Sequence, residues 1–408
     1  MAELKGIAYL KRKLDIKRAR GLLRYKYYDQ KNSKMNMTGV VPAQLQQAYR
    51  STLGWCSKAV DALSERLVFS GFENDVFNMW DIFERNNADI LFESAIKGAL
   101  INSCDFVYIS ADEDGGPRLQ VIDGTNATGV INPITNLLEE GYAVLQRDEN
   151  GEPISEAYFT KEYTEFIRKE NRAVIDEKIE NPTGLVLLVP VIYKPDSNRP
   201  FGHSRISRAC MDIVDKARNT VTRGEVSAEF YSFPQKYVTG LSPDAEPLDK
   251  WRATISSLLQ FDKDEDGDHP ILGQFQQQSM APFTEQFRMY AAAFSGETGL
   301  TLEDLGFASG NPQSSEAIKA AHENLRLTAK SAQRSLGVGF KNVGYVAAAL
   351  RDSFPYKREE IRMVKPLWEP LFEADSASLS GVGDAFIKLN QAFPDYVTKE
   401  KLKQITGL

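Results

Sequence analysis

The chain has 408 residues, 42% of them hydrophobic and 26% charged, enough for two or three packed units of an ordinary globular protein. Its formal net charge of −7 excludes a surface that grips nucleic acid through a general excess of Lys and Arg, because such binding works by displacing counterions. The longest apolar run, Gly184 to Tyr193, is broken by Pro190 and falls well short of a bilayer span; it predicts a buried strand.

In chain order, the first segment concentrates Lys5, Lys11, Arg12, Lys13, Lys17, Arg18, Arg20, Arg24 and Lys26 against Glu3, Asp15 and Asp29. A solvated helix face is expected there, with a nucleic-acid or partner arm as its rival. The segment has no uninterrupted apolar core and fails as a secretory signal. From Gln44 to Leu67, the apolar residues Leu45, Tyr49, Leu53, Cys56, Val60, Leu63 and Leu67 predict an amphipathic helix. Shorter helices are expected over Val76 to Phe83 and Asp89 to Leu100, leading into the strand CDFVYISAD. The runs RLQVIDG, YAVLQRD, EAYFTKEY and EFIRKE, with turn residues such as Asn132-Pro133 and Asn150-Gly151, predict a mostly antiparallel sheet with one polar face. Residues 1–202 therefore predict one α+β domain.

After Pro200-Phe201-Gly202 the period changes. Ile206, Cys210, Ile213, Ala217, Val221, Ala228 and Tyr231 predict one long helix whose narrow apolar stripe needs neighbours to cover it. A small αβ insertion follows: FPQKYVTG, a helix carrying Leu248, Trp251, Ile255 and Leu258, an acidic turn, and PILGQF. Phe283, Phe287, Tyr290 and Phe294 mark a second rod. A glycine-containing break at Gly299 to Asn311 separates it from Ile318, Ala321, Leu325, Ala332, Leu336, Val343 and Leu350, a helical period that would span roughly 55 Å. PYKREEIRMVKPLWEP is expected to be extended. Phe386, Leu389, Phe393, Val397, Leu402 and Ile405 predict a last short helical region.

Chemical signals are sparse. Cys56, Cys104 and Cys210 sit far apart in apolar patterns and predict buried free thiols. His203, His269 and His322 share no ligand spacing, and no Ser/His/Asp arrangement stands out, so no catalytic, metal or cofactor residue is assigned. Asp262, Asp264, Asp266 and Asp268 begin like a calcium loop, but Pro270 stands at its ninth position and Gly273 at the twelfth, where a bidentate Glu is needed. A solvated acidic turn, able to meet a protein partner, is expected. Gly337, Gly339 and Gly344 lack the strand and the Lys-Ser/Thr pair of a phosphate loop; within a helical period they predict a kink or a close helix approach.

PFGHSRIS opening a long helix, the following AEFYSFPQKYVTG, and TGLTLEDLGFASGNPQSSEAIKAAHENL, in this order and spacing, resemble the portal proteins of tailed bacteriophages, in the SPP1-like branch. The resemblance covers most of the chain from Gln44 to Asp352. It implies a portal fold: wing 1–202, first stem helix 203–231, clip 232–281, second stem helix 282–298, tunnel loop 299–313, long kinked wing helix 314–352 with its kink at Gly337 to Gly344, wing return segment 353–376, and a short crown at 377–408. It also implies a non-enzymatic virion protein, found in the host cytoplasm during assembly. Twelve copies would form a ring at one capsid vertex, passing double-stranded DNA, docking the terminase large subunit through the clip, and meeting head-completion, capsid and scaffolding proteins, with no membrane. The DNA channel would be lined at the tunnel loop by Leu300, Thr301, Leu302, Glu303, Asp304, Leu305, Phe307 and Asn311. Of these, Leu300, Leu302, Leu305 and Phe307 would pack on helix or neighbouring subunits, and Glu303 and Asp304 would face solvent or DNA. Trp251 and the Asp262 to Asp268 turn would serve partner docking. The alternatives are a phage DNA-processing enzyme, which would need a metal-binding carboxylate cluster, and a monomeric scaffold or interaction module.

Overall fold

A computed structural model describes residues 4–31, 51–112, 115–170, 173–232, 236–239, 271–274, 279–307, 315–371 and 376–394. The chain divides into two units. The first comprises Met1–Asn32, Gly54–Met211 and Ser295–Leu408; the second comprises Ser33–Leu53 and Asp212–Phe294.

The first unit opens with α1 (Ile7–Tyr28). Its N-terminal N–H groups would be orphans, and the buried carboxylate of Glu140 accepts from Lys5 N at 2.9 Å and Gly6 N at 3.0 Å. Leu10 and Leu14 then pack on Tyr142, Val144 and Tyr158, a contact in which each leucine contributes about 1.5–3 kcal/mol. The basic residues of α1 divide into two sets. Lys11 pairs with Glu156 at 2.5 Å, Lys13 donates to Gly129 O at 2.7 Å, and Arg24 donates to Asn102 O at 2.9 Å. Burial and the nearby Lys17 bring the Lys13 ammonium down to about 8. Arg12, Arg20 and Lys26 lie on the exposed side, so only part of this segment is the solvated face expected.

The sheet under α1 is an antiparallel meander of β4 (Ala127–Ile131), β5 (Leu138–Arg147), β6 (Pro153–Phe159), β7 (Tyr163–Glu170) and β8 (Ala173–Glu180), in that order. EAYFTKEY is two strands with a turn between them, because Thr160 Oγ1 accepts from Tyr163 N at 3.0 Å and from Glu162 N at 3.3 Å, closing the chain on itself. A second sheet has β2 (Cys104–Ala111) between β3 (Pro117–Ile122) and β9 (Leu188–Ile192), all antiparallel. As expected, LVLLVPVIY supplies a fully buried strand.

Helix α2 (Trp55–Ser64) is shorter than the periodicity over Gln44 to Leu67 suggested: residues 51–53 are irregular and the chain turns at 65–66, while 44–50 lie outside the described residues. After β1 (Phe69–Glu73), α3 (Met79–Arg85) starts later than Val76, because the Asp75 carboxylate accepts from Met79 N and Trp80 N and fixes the helix start. Helix α4 (Ala88–Asn102) follows. The long C-terminal rod is divided at His322 into α7 (Ser315–Ala321) and α8 (Glu323–Arg351). PYKREEIRMVKPLWEP holds a 3-10 turn at Glu360–Met363 and then β12 (Lys365–Trp368), which pairs antiparallel with β1. Here α3, α4, α8, β1 and β12 share an aromatic core: the Phe69 ring lies 4.6 Å from Phe92, 5.2 Å from Phe340 and 5.0 Å from Trp368. Cys56, Cys104 and Cys210 are buried free thiols, as expected. Helix α9 (Ser376–Ala392) follows β12 in sequence.

In the second unit, α5 (Arg208–Ser232) and α6 (Ala281–Thr298) are the predicted rods, and the division between units runs through both. Within this unit they pack side by side: Thr220 Oγ1 is 3.1 Å from Gln286 Oε1, and a side chain at Gly224 would meet Phe283 at 3.7 Å. The buried Arg218 donates through Nε to Ser51 O at 3.0 Å. Strands β10 (Lys236–Thr239) and β11 (Ile271–Gln274) form an antiparallel pair.

Candidate functional site

The PFGHSRIS segment ties three chain elements of the first unit together. Gly202 has φ +77, and a Cβ there would lie 2.0 Å from Tyr193 O, so only glycine closes this loop. His203 Nε2 meets Asp196 Oδ2 at 2.5 Å; this bond and the Arg199 N–H hold the Asp196 carboxyl below its ordinary range. Ser204 Oγ donates to Ile101 O at 2.6 Å, anchoring the loop on the end of α4. Arg205 is buried, donating through Nε to Ala59 O at 3.2 Å and through Nη2 to Thr298 O, the last residue of α6. A cation on the carbonyl end of a helix satisfies an orphan acceptor and complements the helix dipole. Ser207 Oγ accepts from Cys210 N at 3.1 Å, capping α5, and donates to Glu297 at 2.9 Å. The sequence reading did not assign roles to Arg205, Ser207 or Glu297. Ser207, just before an apolar period, is the one that carried a usable signal, that of an N-cap.

The break after α6 is an ordered turn as far as Phe307. Gly299, at φ +71, donates to Ser295 O at 2.7 Å and closes the helix as a left-handed cap. Leu300 is buried. Thr301 and Asp304 then form a reciprocal cap: Thr301 N donates to Asp304 Oδ2 at 2.8 Å, and Asp304 N donates to Thr301 Oγ1 at 3.1 Å. The single turn ends at Gly306, φ +92, with Phe307 N donating to Leu302 O at 3.0 Å. Glu303 is exposed; Leu302, Leu305 and Phe307 are half-buried. Asp304 departs from its expected solvent-facing position, because its carboxylate is committed to the cap and lies 3.7 Å from His322 Nδ1 at the head of α8. The loop is thus folded against the junction of α7 and α8. Asn311 lies outside the described residues.

Gly337, Gly339 and Gly344 lie inside α8, whose helical stretch is continuous from Glu323 to Arg351. Each admits a close neighbour. An added Cβ would lie 2.9 Å from Pro366 at Gly337, 3.1 Å from the Val191 Cα at Gly339, and 2.7 Å from the Met79 sulfur at Gly344. The three glycines let α8 sit directly on β12, β9 and α3. The break in the rod falls at His322 rather than at these glycines. Trp251, Asp262, Asp264, Asp266 and Asp268 lie outside the described residues.

A family model described as "Phage portal protein, SPP1 Gp6-like" matches residues 8–379. The chain belongs to this phage portal protein family. Two curated relatives are named portal protein. That of Mycobacterium phage L5 is 25% identical, over 92% of this chain and 82% of its own length. That of Mycobacterium phage D29 is 24% identical, over 93% and 81%. Among solved structures, the neck of a native gene transfer agent particle computed with C12 symmetry is similar with TM-score 0.47 and 13% identity, over 94% of this chain and 98% of that one. The virion of the native gene transfer agent particle gives TM-score 0.45 and 12% identity, over 94% and 99%. As a phage portal protein, the chain has a structural, non-enzymatic role at the capsid vertex of the virion.

Proposed function

We propose that this portal protein closes into a ring, most simply of twelve copies, through which double-stranded DNA is packaged and later ejected. The clip, residues 232–281, docks the terminase large subunit and afterwards a head-completion protein; capsid and scaffolding proteins meet the ring while it assembles in the host cytoplasm. Residues 299–313 form the tunnel loop that meets DNA. The observation that carries this reading is the family match across residues 8–379. Two physical features support it. The net charge of −7 keeps phosphate contacts few, so DNA can slide. Met289 on α6 and Ile318 and Leu327 on α7 and α8 are exposed on the single chain, as expected of rods covered by copies of themselves.

Deleting residues 301–310 is expected to leave a ring with a central hole in electron micrographs while impairing DNA packaging or retention. The hydrogen-bonded cap at Thr301 and Asp304 lies wholly within the deleted segment, so its loss removes no partner from α8. Normal packaging by the deletion variant would remove the loop from the DNA path.

A further inference from the structure

Helix α1 carries two stripes. Leu10, Leu14, Lys17, Gly21, Arg24 and Tyr28 repeat at four and three residues and face inward, Leu10, Leu14 and Gly21 being buried. Arg12, Ile16, Ala19, Leu23 and Lys26 repeat with the same spacing, two residues out of phase, which places them on the opposite side at ~100° per residue. This outer stripe is apolar at its centre, with Ile16 59%, Leu23 46% and the adjacent Leu22 40% exposed, and cationic along its length through Arg12, Arg20 and Lys26.

Elsewhere on the same unit is a groove of about 410 Å³ between the end of α2 and the first turns of α4. Phe69 and Phe92 are in its floor, with Val68 left 43% exposed and Ile90, next to the lining residue Asp89, 71% exposed. Its walls carry Asp61, Glu65, Asp89 and Glu93, against Lys97 as the one lining cation. An apolar floor with acidic walls fits an amphipathic helix with cationic flanks.

The chain's own α1 cannot supply that helix. Its inner stripe is held by the Leu10 and Leu14 contacts, and Tyr28 OH donates to Asp61 at 2.8 Å, so the inner side faces the groove's edge and the cationic stripe points away. We propose that the outer stripe of α1 docks into the α2–α4 groove of a second copy of this chain. Because stripe and groove are different patches, the contact is head-to-tail, the type that generates rings when its rotation closes. The inference rests on the ring reading above and names the surfaces that join neighbouring copies.

Reversing charge on each surface tests it with the full chain. Arg12→Glu, Arg20→Glu and Lys26→Glu together, or Glu65→Lys with Asp89→Lys, should each cut the assembled fraction in sedimentation about tenfold, the effect expected of opposed like charges. Combining both sets in one chain should restore assembly, with thermal melting confirming that every variant is folded. As a second measurement, Ile16→Cys and Val68→Cys chains mixed under oxidation should give cross-linked dimers between the two variants. Unchanged assembly by either reversed set, no recovery in the combined chain, or cross-links joining Ile16→Cys chains to each other would overturn the proposal. So would a reversed α1 that assembles normally but no longer retains a short DNA duplex, since the stripe would then be a nucleic-acid contact. A wild-type chain that stays monomeric at every concentration would instead remove the ring reading itself.

Discussion

Asp105 is enclosed where α4 meets β2, its Oδ1 accepting from Gly124 N at 2.8 Å and its other oxygen pressed against Gly98, where a Cβ would lie 1.7 Å away. Burial, and then the neighbouring Asp123, push its carboxyl well above the ordinary value; the Gly124 N–H and Lys17 offset only part of this. A carboxyl whose folded value is raised lends stability fully present below the unfolded value, near pH 4, and lost as pH rises through the folded value. Asp105→Asn keeps an oxygen for Gly124 and removes the charge. The variant should melt with wild type near pH 4 and at a higher temperature than wild type at pH 8. An unchanged difference across that range would mean that Asp105 does not titrate with folding.

At the scale of elements, the contact of α8 with β9 depends on a missing side chain. A Cβ at Gly339 would meet Val191 Cα at 3.1 Å and Pro190 O at 3.3 Å, and backbone in a buried strand yields little. Gly339→Val should destabilise the first unit by about 1–3 kcal/mol in denaturant unfolding, through overpacking. Gly296→Ala on α6, where nothing lies within 4 Å, should be neutral or stabilising by up to about 1 kcal/mol. The same elements show what was legible in sequence. The rods α5 and α6 and strand β9 carry strong periods or an unbroken apolar run, and they were read nearly to their ends. Strand β4 (ATGVI) is too short to show alternation, and β8 (AVIDEKIE) reads as charged surface because its residues 175–180 are exposed. The division at His322 was invisible because a one-residue turn leaves the helical period almost in phase. At the tunnel loop, Thr301 and Asp304 have the spacing of a capping pair, yet Asp304 read as solvent-facing because its partner in the cap is its own backbone neighbourhood.

At the scale of the molecule, the first unit is assembled from three separate stretches of chain, and its aromatic core is completed by the last of them. Strand β1 finds its only described strand partner in β12, with Phe69 opposite Trp368 and Glu73 opposite Lys365, 292 positions away. Such long-range pairing is slow, because the intervening chain must be gathered before any contact rewards it. A portal chain still emerging from the ribosome therefore carries β1 as an open edge, with Phe69 lacking the Phe340 and Trp368 rings, through most of its synthesis. Nascent chains arrested before residue 365 should be cut by protease near Phe69–Glu73, and chains extended past Trp368 should be protected there. Early protection would show that β1 is covered without β12. With the expected result, a portal subunit is competent to join its neighbours only once translation has nearly finished, which keeps half-made chains out of the growing vertex.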